Sequence, residues 1–156
     1  MIDLGLAKRF KDPKTGQHIK FKQNRSMVGT IRYASINSHE GFETSRRDDL
    51  EAIGYVLVFL FKGKLPWQGV KAKKHKEKRM KIKEIKIEST KDGLCSDMPE
   101  EFQTYFNYVL SLQFDEDPDY DYIRKLFKEV FHRMGFEYDH NFEWTKTKKK
   151  PKVEDL

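Results

Sequence analysis

From Ala52 to Phe61 the chain reads Ala-Ile-Gly-Tyr-Val-Leu-Val-Phe-Leu-Phe, ten consecutive apolar or aromatic residues. No surface element tolerates such a run, so it must be buried, and everything else has to be arranged around it. Periodicity alone does not separate a buried strand from a buried helix here. Two features favour a helix. The run is long for a strand, and Ser45-Arg46-Arg47-Asp48 just ahead of it has capping-box spacing, a hydroxyl followed three residues later by a carboxylate. A helix apolar on all faces belongs at the centre of a domain, wrapped by amphipathic partners. Lys62-Gly63 ends it, and ten residues are too few to span a bilayer, which takes about 20.

The sequence supplies such partners. Phe102, Tyr105, Phe106, Val109 and Leu110 follow helical spacing, as do Ile123, Leu126, Phe127, Val130 and Phe131, the second set stopped by Gly135. Between them lies an acidic turn, Phe114 to Asp119, containing Pro118. Leu65-Pro66-Trp67-Gln68-Gly69 reads as a loop that anchors one aromatic. Lys71 to Lys86 carries nine Lys or Arg in sixteen positions and reads as a solvated helix face of long cationic side chains. Apolar residues make up 37% of the chain and charged ones 36%, so the core must be compact. Twelve Phe and seven Tyr fill it with large side chains and exclude a disordered polymer.

Residues 6–34 lack periodicity. Asp12-Pro13-Lys14-Thr15-Gly16 is a turn signal between Ala7–Phe10 and His18–Phe21, which could form a short hairpin, and the remainder reads as a long, basic, ordered loop. Cys95 is the single cysteine, so there is no internal disulfide, which fits a reducing compartment. The five His have no metal-ligand spacing. No basic segment followed by an apolar one opens the chain, and a soluble protein of the cytoplasm or nucleus is expected. The tail 145–156 is basic and expected to be flexible; Lys148-Lys149-Lys150-Pro151-Lys152 reads either as an import signal or as a solubilising tail. The net charge of +6 favours anionic partners. Nucleic acid is disfavoured, because Lys71–Lys86 lacks the interleaved aromatics on which bases would stack.

One series of motifs narrows the reading further. In order, it comprises Asp3-Leu4-Gly5-Leu6-Ala7-Lys8, Gly29-Thr30, Arg32-Tyr33-Ala34-Ser35-Ile36-Asn37, Arg46 to Glu51, Gly54-Tyr55-Val56-Leu57, Leu65 to Gly69 and Pro118-Asp119-Tyr120. This order resembles the casein kinase 1 family of Ser/Thr protein kinases, with Ser35-Ile36-Asn37 standing where most kinases carry Ala-Pro-Glu. The resemblance implies a mainly α fold. It is that of a protein-kinase C-terminal lobe with a central buried helix, entered at the Asp-Phe-Gly position and lacking the N-terminal lobe, over residues 1–144.

The resemblance also implies roles. Asp3 would coordinate the Mg²⁺ that bridges ATP phosphates, a hard ion that prefers oxygen ligands. Thr30 would hydrogen-bond toward a catalytic Asp and its neighbouring Lys. Asp49 would accept backbone N–H groups of the catalytic loop, with capping of its own helix as the plainer role. Arg25, Arg32 and Lys78 would form an anion pocket for a phosphate or acidic group on the substrate, Arg being suited to it by bidentate bonding.

Phosphoryl transfer further requires a Gly-rich phosphate loop, a strand Lys and a catalytic Asp with its Asn. The sequence contains no Gly-x-Gly-x-x-Gly, and Arg46-Arg47-Asp48 lacks the downstream Asn of a catalytic loop. The complete domain is thus expected to phosphorylate Ser/Thr of acidic or primed proteins with ATP and Mg²⁺. The chain as written is expected neither to hold these tightly nor to turn over. The alternative is a non-catalytic module that binds acidic or phosphorylated proteins.

Overall fold

The computed structural model describes residues 4–91 and 93–142. Five helices occur in it: α1 (Ile36–Glu40), α2 (Arg46–Lys62), α3 (His75–Lys91), α4 (Glu100–Ser111) and α5 (Tyr120–Arg133). Among the described residues, β pairing is limited to an isolated antiparallel bridge between Lys11 and His18. The fold is mainly α, and no described helix is long and apolar enough to cross a membrane.

The apolar run forms α2, and Asp48 completes its capping box by accepting from the Ser45 backbone N–H at 2.7 Å. Leu50, Tyr55 and Val58 point into the core, where α4 contributes Tyr105, Phe106 and Val109. Gly54 lets the two helices approach. A Cβ there would lie 2.7 Å from Phe106 Cζ and 2.9 Å from Tyr105 Cε1, nearer than atoms can pack. Tyr105 hydroxyl donates to the Leu50 carbonyl at 2.7 Å, so the polar end of that buried ring is satisfied. Helix α5 covers α4 through Phe127, whose ring stands 5.3 Å from Phe102 and 5.4 Å from Tyr105.

One expectation needs correction. Helix α2 is not buried on all faces: Ile53, Val56, Leu60 and Phe61 are exposed, while Tyr55 and Val58 are closed off completely. An all-apolar run specifies that burial is favourable but not which neighbours supply it, and α4 covers one face only. A second correction concerns the basic segment. Lys86 is not on a solvated face but is wholly buried beside Ile82 and Thr90, in register with them on α3.

The aperiodic segment 7–21 is ordered by packing. Asp12 Oδ1 accepts from the Lys14 and Thr15 N–H groups at 2.8 and 3.0 Å, closing the turn. Across the bridge, Ile19 N–H donates to the Phe10 carbonyl at 2.8 Å, so the hairpin expectation is realised as a single bridge. His18 and Phe21 set their rings against Phe114 at 4.8 and 5.2 Å, docking the loop on the α4–α5 turn. Arg46 lies over the Phe10 ring at 4.3 Å and pairs with Asp117.

Candidate functional site

Helix α1 is short, and α2 builds it. Ser35 caps it, its Oγ accepting from Ser38 N–H at 3.0 Å and donating to Asp48 Oδ1 at 2.6 Å. Asn37 Nδ2 donates to the same oxygen at 3.1 Å. One turn further along α2, Glu51 Oε1 accepts from Ile36 N–H at 2.7 Å and from Tyr55 hydroxyl at 2.6 Å. Ser35-Ile36-Asn37 is therefore gripped by two buried carboxylates. Burial pushes the Glu51 carboxyl up to about 7, against the opposing effect of the Tyr55 and Ile36 hydrogen bonds.

A cavity of about 920 Å³ opens between the start of α2, α1 and the segments 4–10 and 24–30. Thr30, Arg25 and Asp49, separated by up to 24 positions in sequence, all line it. Arg25 Nε pairs with Glu43 Oε2 at 3.1 Å, and Lys8 pairs with the other oxygen. The Lys8 hydrogen bond, reinforced by the charges of Lys8 and Arg25, holds the Glu43 carboxyl below its usual range. Arg25 is anchored by its backbone too: its N–H donates to Gly41 carbonyl at 2.8 Å. Gly41 is left-handed, with φ 78°, and a Cβ on it would lie 3.0 Å from Arg25 carbonyl. Asp49 is exposed by area, yet atoms crowding its carboxyl displace water and, with Asp48 beside it, raise its pKa. Asp48 rather than Asp49 caps the helix, which leaves the Asp49 carboxylate facing the cavity.

Arg32 and Lys78 are not part of that lining. Arg32 is exposed, with its guanidinium 5.8 Å from the ring centroids of both Tyr33 and Phe59. Neither Arg32 nor Lys78 has a carboxylate partner among the described residues. Lys78 projects from the first turn of α3, where its N–H donates to Lys74 carbonyl at 3.0 Å. Asp3 and the tail 145–156 lie outside the described residues. Among the described residues, no group of three His, Cys, Asp or Glu is placed to hold a metal ion.

Several connections around Arg32 escaped the sequence reading. Trp67 Nε1 donates to the Arg32 carbonyl at 2.7 Å. Lys86 Nζ donates to the carbonyls of Ala34 and, at 3.3 Å, Ile31. The signal for Lys86 was present: it is four residues past Ile82, on the buried stripe of α3. No known family profile matches the sequence.

Proposed function

We propose that this chain is the substrate-recognising part of a casein kinase 1-like Ser/Thr protein kinase domain, and that it takes up phosphorylated or acidic protein segments. In the complete domain it would serve ATP-dependent phosphorylation of Ser/Thr. The 156 residues themselves carry no Gly-rich phosphate loop or catalytic-loop Asp with its Asn, so recognition is the part of that chemistry assigned to them. The same exposed Arg32 guanidinium would equally serve the second reading, a module that binds such proteins without phosphorylating them.

The observation that carries the proposal is Arg32. Arg25 pairs with Glu43, Lys83 with Glu40 and Lys81 with Glu77. Arg32 instead presents an exposed guanidinium supported by two aromatic rings. A planar fork held in this way, with no internal carboxylate competing, suits the oxygens of a phosphate. Lys78, exposed on α3, adds positive charge as a point donor.

Titration of a phosphoserine peptide and its unphosphorylated twin tests this by fluorescence anisotropy at physiological salt. A charge-assisted contact contributes about 1.5–3 kcal/mol when well formed and less where solvent screens it. The phosphopeptide should therefore bind roughly tenfold tighter. Arg32→Ala should remove most of that preference and Lys74→Ala should leave it. Equal weakening by both substitutions would mean diffuse attraction, and the proposal would fall.

A further inference from the structure

Four consecutive carbonyls, those of Thr30, Ile31, Arg32 and Tyr33, together with that of Ala34, run through the turn that carries Arg32. Thr30 carbonyl closes the turn locally, accepting from the N–H groups of Tyr33 and Ala34 at 2.9 and 3.0 Å. Three of the other carbonyls are held from outside. Lys86 of α3 takes Ile31 and Ala34, and Trp67 of the α2–α3 loop takes Arg32 itself. Both side chains are nearly or fully inaccessible, Lys86 at 0% and Trp67 at 2% exposure.

A buried ammonium is an expensive way to fill a core position. Moving such an ion out of water is costly unless its protons are bonded and its charge is offset. Here burial pulls the Lys86 pKa down to about 7 against the attraction of Glu51, and the surrounding rings and carbonyls supply a partial offset. The Lys86 nitrogen lies 4.7 Å from the Tyr55 ring centroid and 5.0 Å from that of Trp67, and those two rings meet edge to face at 4.9 Å. Glu51 and Tyr55 face it from α2, His39 faces it from α1, and Arg79 stands near His39 on α3. A leucine or methionine in this slot would pack without any such cost but could not donate to carbonyls.

We infer that Lys86 and Trp67 are positioning residues for the Arg32 anion site: together they clamp the backbone on both sides of Arg32 so that its guanidinium is presented before a phosphate arrives. The inference rests on the recognition reading above and adds what makes Arg32 effective. A donor held in place beforehand loses less conformational freedom on binding than one that must be ordered by the ligand. A residue that only fills the core would act differently. Its loss would lower stability and reduce affinity for every peptide by the unfolded fraction alone.

Lys86→Met removes the donor while keeping the length of the side chain. Trp67→Phe keeps an aromatic face and deletes only the N–H. Both are tested well below their unfolding temperatures against the same phosphoserine peptide and its unphosphorylated twin. Each should cut the phosphopeptide preference severalfold with Arg32 still present, and the unphosphorylated affinity should hardly change. Amide exchange without peptide gives an independent readout, in which Lys86→Met should speed exchange of Tyr33 and Ala34 N–H relative to amides of α4. The chain has two tryptophans, so in a Trp144→Phe background Trp67 alone emits. Phosphopeptide should then shift its emission, and Arg32→Ala should abolish the shift. If Lys86→Met does not fold, Trp67→Phe carries the test. A wild-type preference that survives in every folded variant overturns the clamp alone. Absence of a preference in the wild type overturns the recognition reading and the clamp with it.

Discussion

His39 shows how a single buried side chain makes this fold sensitive to acid. It is 4% exposed on α1, and burial, assisted by the Lys86 charge, pushes its pKa from 6.5 down to about 4. The imidazole therefore stays neutral in the folded chain at pH values where the unfolded chain takes up a proton. Stability from this group is full above pH 6.5 and is lost as pH falls toward 4, by roughly 2–3 kcal/mol at pH 4.5. Glu51 works in the opposite sense. Its carboxyl, raised to about 7 by burial, keeps a proton in the folded state that the unfolded chain releases, so it gains stability as pH falls from 7 to 4.5. The two effects overlap in one window, and only a difference measurement separates them. Urea unfolding of the wild type and of His39→Asn at pH 7 and pH 4.5 should find a steeper acid loss in the wild type. Parallel losses would mean that His39 titrates normally and that its burial has no electrostatic consequence.

At the scale of elements, α2 separates what a pattern encodes from what packing decides. Val58 and Leu60 are equivalent members of one apolar run, yet Val58 is 0% exposed and Leu60 73%. Val58→Ala should cost about 2 kcal/mol, because the α4 side chains cannot fully close on the space. Leu60→Ser should fall within about 0.5 kcal/mol of the wild type. Comparable losses in urea midpoint would show that Leu60 is buried in solution. Helices α2, α4 and α5 were legible because caps and 3.6-residue spacing are local signals. The outer face of α2 was not, since an uninterrupted apolar run has no period to mark it. Helix α1 was missed for another reason: its five residues are too few for periodicity, and its partners Asp48 and Glu51 lie on another helix. The candidate site divides in the same way. Thr30, Arg25 and Asp49 do meet around one cavity. Lys86 went unnoticed because its charge suggested solvent while its register with Ile82 pointed inward.

The whole molecule carries a net charge of +6, and much of it is concentrated in Lys71–Lys86 rather than spread evenly. Part of the acidic α4–α5 turn is already neutralised, since Asp117 pairs with both Lys11 and Arg46. Any acidic peptide should therefore be attracted at low salt, whether or not Arg32 has a special role. Ionic strength separates the field from the site. The Debye length is about 10 Å at 0.1 M salt and about 3 Å at 1 M, so diffuse attraction by separate exposed lysines is screened first. A guanidinium in direct contact with phosphate oxygens is screened far less. On raising salt from about 0.05 M to about 0.5 M, affinity should fall for both the phosphoserine peptide and its unphosphorylated twin. The ratio between them should persist in the wild type, and in Arg32→Ala the two should converge. A ratio that collapses in step with affinity would assign recognition to summed charge, leaving Arg32 as one cation among 31 basic residues.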